Sequence, residues 1–252
     1  MTSKTRHASH SLPHFLPSSL PHPLIITIDG PAGSGKSTTA KLLSHRLGFM
    51  YLDTGATYRT LAYAARQHRL HPLADAEQIV RLARRLPVRL SLQADGALRV
   101  ELGGADVSRA IRTEEVTEAA ALISQHPGVR VAMVTRQREL ARQHLARASA
   151  PSGVVVEGRD TGSVVFPRAD VKFFLDADAA VRARRRQEEL TRLYGSRTPL
   201  AQVRGQLNFR DGLDRNRRVG PLVKPSGAIA IDTTHRSAPE VVHLMLGHLR
   251  MA

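Results

Sequence analysis

Eight consecutive residues, Gly30-Pro31-Ala32-Gly33-Ser34-Gly35-Lys36-Ser37, constrain this chain more than any other stretch. They spell G-x4-G-K-[ST], directly after the apolar run Leu24 to Asp29 and at the start of a helical pattern that opens at Lys36. A buried strand feeding a glycine loop and then a helix is a unit of parallel α/β sheets, because only such a crossover covers the sheet. The loop also has a chemistry. Its glycines leave backbone N–H groups free to surround an anion, Lys36 adds a point charge at the β and γ phosphates, and Ser37 can ligate Mg2+. Gly30, Pro31, Ala32, Gly33, Ser34, Gly35, Lys36, Ser37 and Thr38 are therefore the candidate contacts for ATP, with Lys36 catalytic and expected on a solvent-facing loop.

The rest of the composition narrows the class. With 252 residues, 42% of them hydrophobic and 23% charged, and no apolar run of membrane-spanning length, the chain can bury a sizeable core but offers no membrane span. The absence of cysteine excludes disulfides, thiolate metal sites and cysteine nucleophiles. A net charge of +15 predicts attraction to phosphates of some kind. Aromatics are only 4% and tryptophan is absent, so the stacking platforms that hold single-stranded nucleic acid are poorly supplied. Residues 1–23 hold five Ser, two Thr, four Pro and four His with no acid, which predicts a disordered tail.

Beyond that tail, short apolar runs at Leu24 to Ile28, Phe49 to Leu52, Val154 to Val156, Val171 to Leu175 and Ala228 to Ile231 read as buried strands. Helical patterns at Lys36 to Leu47, Asp178 to Tyr194 and Pro239 to Arg250 alternate with them, giving a three-layer α/β/α arrangement around a five-stranded parallel sheet. The middle breaks the rhythm. Val88 to Leu92 and Leu98 to Leu102 alternate around Ala94-Asp95-Gly96 as an antiparallel hairpin, and longer helices follow over Thr113 to Ser124 and Val129 to Ala148. An inserted subdomain over about 71–150, interrupting a core made of 24–70 and 151–252, is the economical reading.

Candidate site residues cluster after the strands. Asp53-Thr54-Gly55-Ala56-Thr57-Tyr58-Arg59 offers Arg59 to a second phosphate, although a helix cap followed by a solvated Arg has the same pattern. In Glu157-Gly158-Arg159-Asp160-Thr161-Gly162, Glu157 stands where an acid at a strand's end can hold a water of the Mg2+ shell. Arg182, Arg184, Arg185 and Arg186 form a cationic block near a helix start, either a phosphate lid or a solvated face. Arg210, Asp211, Asp214 and Arg217 fall on helical-turn spacing, suited to gripping a hydroxyl and a phosphate together or to surface ion pairs.

Taken in order over 24–252, these segments resemble the bacterial cytidylate kinases. The specific signals are Leu52-Asp53-Thr54-Gly55-Ala56-Thr57-Tyr58-Arg59, Ile111-Arg112-Thr113-Glu114-Glu115-Val116, Gly158 to Pro167, and Asp214-Arg215-Asn216-Arg217 with Pro221-Leu222. The Thr-Gly-Asp turn and Gly-Phe-Pro-Arg segment expected of adenylate kinases are missing. The resemblance implies a P-loop kinase fold whose insert binds the nucleoside monophosphate, a lid at about 180–200, and Mg-dependent phosphorylation of CMP and dCMP by ATP in the cytoplasm. It implies a monomer acting on small nucleotides, without nucleic acid or membrane. By position it makes Lys36, Arg159, Asp160 and Arg185 catalytic, Thr54, Arg59, Arg130, Arg159, Asp160, Arg210, Asp214 and Arg217 substrate contacts, and Ser37 and Glu157 the metal residues. Alternatives are a kinase for another small acceptor such as UMP, and a nucleic-acid-binding ATPase. One departure stands out: members often carry Ser where Ala121 stands, with Thr117 and Ser124 on the same helix face as potential substitutes.

Overall fold

The computed structural model describes residues 22–147, 152–195 and 198–249. The expected tail, apart from its last two residues, lies outside them. Five parallel strands make the central sheet: β1 (Leu24–Asp29), β2 (Met50–Asp53), β6 (Gly153–Gly158), β7 (Val171–Asp176) and β8 (Ile229–Asp232), in the order β2-β6-β1-β7-β8. All five are legible as apolar runs. β6, GVVVEG, is buried at every residue, as a strand covered on both faces must be.

The strand register gathers charge at one end of the sheet. Asp29 pairs with Gly158 across β1 and β6, and Asp53 pairs with Glu157 across β2 and β6. Three acids thus reach the same carboxyl edge. The chain leaves β1 toward β2 on one side and later fills β7 and β8 on the other, so this edge is the crevice where strand order reverses.

α1 (Lys36–Leu47) starts after Gly35 and stops at Gly48, whose left-handed backbone turns its N–H back onto the last turn of the helix. α2 (Thr54–Gln67) is capped by Asp53, which accepts from Ala56 N at 2.7 Å. α3 (Ala76–Arg84) precedes a small antiparallel sheet of β3 (Val88–Leu92), β4 (Leu98–Leu102) and β5 (Ala105–Asp106), the last strand being an addition to the expected hairpin. Val88 faces Leu102, Leu90 faces Val100 and Leu92 faces Leu98. α4 (Glu114–Ile123) is capped by Thr113, α5 (Pro127–Leu145) begins on a proline, and α6 (Ala179–Tyr194) is capped by Asp178. α7 (Leu200–Arg215) and α8 (Ala238–Leu249) complete the chain.

The insert has no core of its own. Ile79, Val88, Val100 and Ile123 belong to the same buried apolar cluster as Ile26, Val155 and Phe173 of the central sheet. A second, small cluster of Ala32, Ala183, Val203 and Leu207 lies where the glycine loop meets α6 and α7.

Candidate active site

The glycine loop is shaped by neighbours that no side chain at Gly30 would tolerate. Its φ is 149°, and a Cβ there would lie 1.9 Å from the Leu175 carbonyl oxygen. Arg182 and Asp211 brace the loop from outside: Arg182 donates to the Ala32 carbonyl at 3.1 Å and to Asp211 at 2.5 Å, while Ala32 N donates to Asp211 at 3.3 Å. This corrects the reading of Arg182 to Arg186 as one cationic face. Arg182 is buried in the brace, Arg185 donates to Thr233 Oγ1 and to the Thr233 carbonyl, Arg186 pairs with Glu189, and Arg184 is exposed. Of the four, Arg185 and Arg186 line the cleft.

Lys36 is 4% exposed rather than solvent-facing, because the loop and the sheet edge close around its stem. Its ammonium donates to the Pro31 carbonyl at 2.6 Å and to Ser34 Oγ at 3.4 Å. Burial, and next the positive charge of Arg159, pull its pKa down from 10.5 to about 7. Beside it, Ser37 Oγ donates to Glu157 Oε1 at 2.6 Å and the Tyr51 hydroxyl donates to the same oxygen at 3.0 Å. Burial, with Asp53 next to it, raises the Glu157 carboxyl above its usual range. A serine hydroxyl and a carboxylate in contact are hard oxygen donors, the kind Mg2+ takes when phosphates and water complete its shell. Among the described residues there is no group of three or more His, Cys, Asp and Glu side chains that could hold a metal ion.

Across the cleft, of about 1370 Å³, stands an arginine wall. Arg59 pairs with Asp53 at 3.0 Å, and Arg159 donates to Asp214 at 2.9 Å. Arg217 pairs with the other Asp214 oxygen at 3.3 Å, while its Nε and second terminal nitrogen are buried without a partner. Burial favours a neutral Asp214, but Arg159, Arg217 and Arg210 outweigh it and hold the carboxyl below its usual range. Arg210 has the opposite problem. Burial, then Arg159 and Arg186, depress its pKa to about 10, a cation among cations.

Arg130 and Asp160 form a buried ion pair, with the guanidinium stacked 5.7 Å from the Tyr58 ring. Asp160 reaches the cleft wall and Arg130, 1% exposed, supports it from behind. Gly220 packs on this pair with φ 64°, where a Cβ would fall 2.2 Å from Asp160 Oδ2. Gly220→Ala is expected to destabilise the fold by about 2–4 kcal/mol through overpacking and backbone strain, measured by denaturant unfolding. Thr117, Ala120, Ala121 and Ser124 of α4 and its cap line the same region. Ser124 Oγ is already used on the Ala121 carbonyl at 2.8 Å.

Thus the expected nucleotide and metal contacts other than Arg130 stand on the cleft wall or in the glycine loop that borders it, whereas Arg182, Arg184 and Asp211, also offered by the sequence, do not. Tyr51, Thr233 and the Arg182–Asp211 brace are site features that the sequence does not announce. Only Tyr51 carries a signal, since a tyrosine in a buried strand needs a partner for its hydroxyl.

Comparison with known proteins gives the chain's family. The profile of the family described as "Cytidylate kinase" matches residues 26–251. The chain is 44% identical over 218 residues to a cytidylate kinase of Geobacillus sp. (strain WCH70), spanning 86% of this chain and 92% of that one. It is 44% identical over 226 residues to a cytidylate kinase of Edwardsiella ictaluri, spanning 90% and 96% respectively. It is 43% identical over 223 residues to one of Desulfitobacterium hafniense, spanning 88% and 91%. A glycine loop facing an arginine wall, on a chain matched over nearly its whole length, belongs to the cytidylate kinase family of nucleoside monophosphate kinases.

Proposed function

We propose that the chain transfers the terminal phosphoryl group of ATP to CMP and dCMP, giving ADP with CDP or dCDP. The observation that carries this is that Arg59, Arg159 and Arg210 line the same cleft as Lys36, with the Arg210 pKa depressed by burial and then by Arg159 and Arg186. Arg59 and Arg159 already have acid partners, so the cost falls on Arg210, and an acceptor phosphate beside it offsets that cost. At pH 7 a nucleoside monophosphate is largely a dianion, its second pKa being ~6, so its oxygen attacks without a general base. The protein's task is to hold two polyanions in line and neutralise the charge between them. Lys36 and the loop amides take the donor phosphates, Arg185 and Arg186 approach from the α6 side, and Arg159 with Arg210 takes the acceptor phosphate. Asp214 offers its carboxylate to the ribose, and Asp160, steadied by Arg130, faces the nucleoside with Arg217. Mg2+, when held by Ser37 and through water by Glu157, supplies charge neutralisation at the β and γ phosphates. The insert of about 71–150 presents the acceptor and about 180–200 serves as the lid, residues 148–150 and 196–197 of these lying outside the described residues. The chain works as a monomer on small nucleotides, without nucleic acid. Among the described residues no helix is long and apolar enough to cross a membrane.

A coupled assay of ADP release with CMP, dCMP, UMP, AMP and GMP at fixed ATP and Mg2+ tests the reading. Turnover confined to the cytidylates supports it, and a preference for AMP or GMP overturns it.

Base recognition has a local twist. Ala121 cannot hydrogen-bond a base, and Ser124 is engaged with the helix backbone, which leaves Thr117 as the free hydroxyl on that face. Thr117→Val is expected to lower the CMP to UMP selectivity by about two- to tenfold, the worth of one neutral hydrogen bond, and Ala121→Ser to raise it by a smaller factor. Unchanged ratios in both variants would place the base elsewhere.

A further inference from the structure

Asp29 is a fully buried carboxylate for which the proposed reaction has no use. It is the last residue of β1 and the last before the glycine loop. Its partners all lie just beyond the end of the neighbouring strand β6: Thr161 N donates to Oδ1 at 2.7 Å, Thr161 Oγ1 donates to Oδ1 at 2.8 Å, and Gly162 N donates to Oδ2 at 2.7 Å. These donors open a π-helical turn, Thr161–Val165, in which the Asp160 carbonyl accepts from Val164 N and Val165 N. A single π turn is a costly local geometry and persists where something outside holds it. Here the turn sets the direction in which Arg159 and Asp160 leave the backbone toward Asp214 and Arg130.

Building on the reaction proposed above, we infer that Asp29 is a positioning residue, a strut that fixes the acceptor-side turn Arg159-Asp160 relative to the donor loop. The chemistry requires a carboxylate at this spot. All three partners are donors divided between two oxygens, so an asparagine would point its own NH2 at one of them and leave a buried donor pair facing each other. Burial raises the Asp29 carboxyl, with the Thr161 and Gly162 bonds opposing it, so the arrangement is an expense the fold accepts for geometry.

The test is Asp29→Asn beside Thr161→Val and Thr161→Ser, with steady-state kinetics for CMP, ATP affinity by equilibrium binding, and thermal melting. Displacement of catalytic groups by about 1 Å costs on the order of a hundredfold, so Asp29→Asn is expected to lower kcat ten- to a hundredfold while ATP affinity stays within about threefold. Thr161→Val should lose less in the same direction, and Thr161→Ser, which keeps the hydroxyl donor, should stay near wild type. The double variant Asp29→Asn, Thr161→Val should be no worse than Asp29→Asn alone, because both act through one contact. An unchanged kcat in folded Asp29→Asn, or an equal loss of ATP affinity and kcat, overturns the strut. If Asp29→Asn does not fold, the threonine pair decides, and equal kcat in Thr161→Val and Thr161→Ser overturns it. Wild-type chain inactive on CMP would instead sink the proposed reaction, a distinct result.

Discussion

Lys36→Ala is expected to lower kcat with CMP by about a thousandfold or more and to leave the melting temperature within a few degrees of wild type. Removing a single preorganised donor from developing phosphoryl charge costs ~10²–10³ in comparable sites, and in the proposed complex this cation stands at both the β and the transferring γ phosphate. The fold should tolerate the change because among the described residues the ammonium bonds within its own loop, to Pro31 and Ser34, and its burial is a cost to the native state. The native pKa of about 7 lies below the unfolded 10.5, so between these values the unfolded chain binds more protons and this group's contribution to stability improves as pH rises from 7. A polyphosphate beside Lys36 restores its ordinary affinity for a proton. ATP binding at pH 8 is therefore expected to take up protons, seen as a dependence of the binding enthalpy on buffer ionisation enthalpy, and Lys36→Ala should abolish most of that uptake. Full CMP-dependent turnover in the variant would remove Lys36 from the reaction.

Arg159→Ala should separate the two nucleotides. Its guanidinium sits between Asp214 and the cleft, and in the proposed complex it bonds the acceptor phosphate with a charge-assisted geometry. We expect kcat/KM for CMP to fall by about 10²–10³ while ATP affinity changes by less than threefold. ATP affinity should move, if at all, toward tighter binding, because Arg159 is the leading charge depressing Lys36 and its loss lets the lysine protonate more readily. Parallel losses in ATP affinity and CMP turnover would assign Arg159 to the donor side. Asp214 keeps Arg217 and Arg210 as partners, so the variant should remain folded.

Local pattern suffices for the sheet. Its five strands declare themselves as short apolar runs because a strand covered on both faces has nothing else to be. α1 lies over Lys36–Leu47, as its pattern predicts, since Gly35 and Gly48 bracket it. α2, α3 and α7 are less legible. The first is left open in the sequence between a phosphate-binding stretch and a helix cap followed by a solvated Arg, of which Asp53 proves to be the cap, and α7 carries Gly205 and Gly212 in its interior. For the site, motif residues speak and their partners do not. In the sequence Arg182 is one more cation in a row of four, and only packing reveals that it is committed to Asp211, 29 positions away. Asp29 reads simply as a strand residue, and Tyr51 signals that its hydroxyl needs a partner without naming it, because a contact spanning more than a hundred positions leaves no periodic trace.

β1 is the first strand made and the middle strand of the sheet, yet Leu24 pairs with Gly153 on one side and Ile26 with Val171 on the other. One edge of this apolar strand therefore stays unpaired until synthesis has passed β6, and the other until it has passed β7. Closing such long loops is entropically expensive and slow, and open strand edges invite pairing with other chains in the meantime. The insert cannot shorten the wait, since Ile79, Val100 and Ile123 bury themselves against the same unfinished sheet. Folding should therefore be late and concerted rather than sequential, and nascent chains cut before β7 should be open to proteolysis along their whole length.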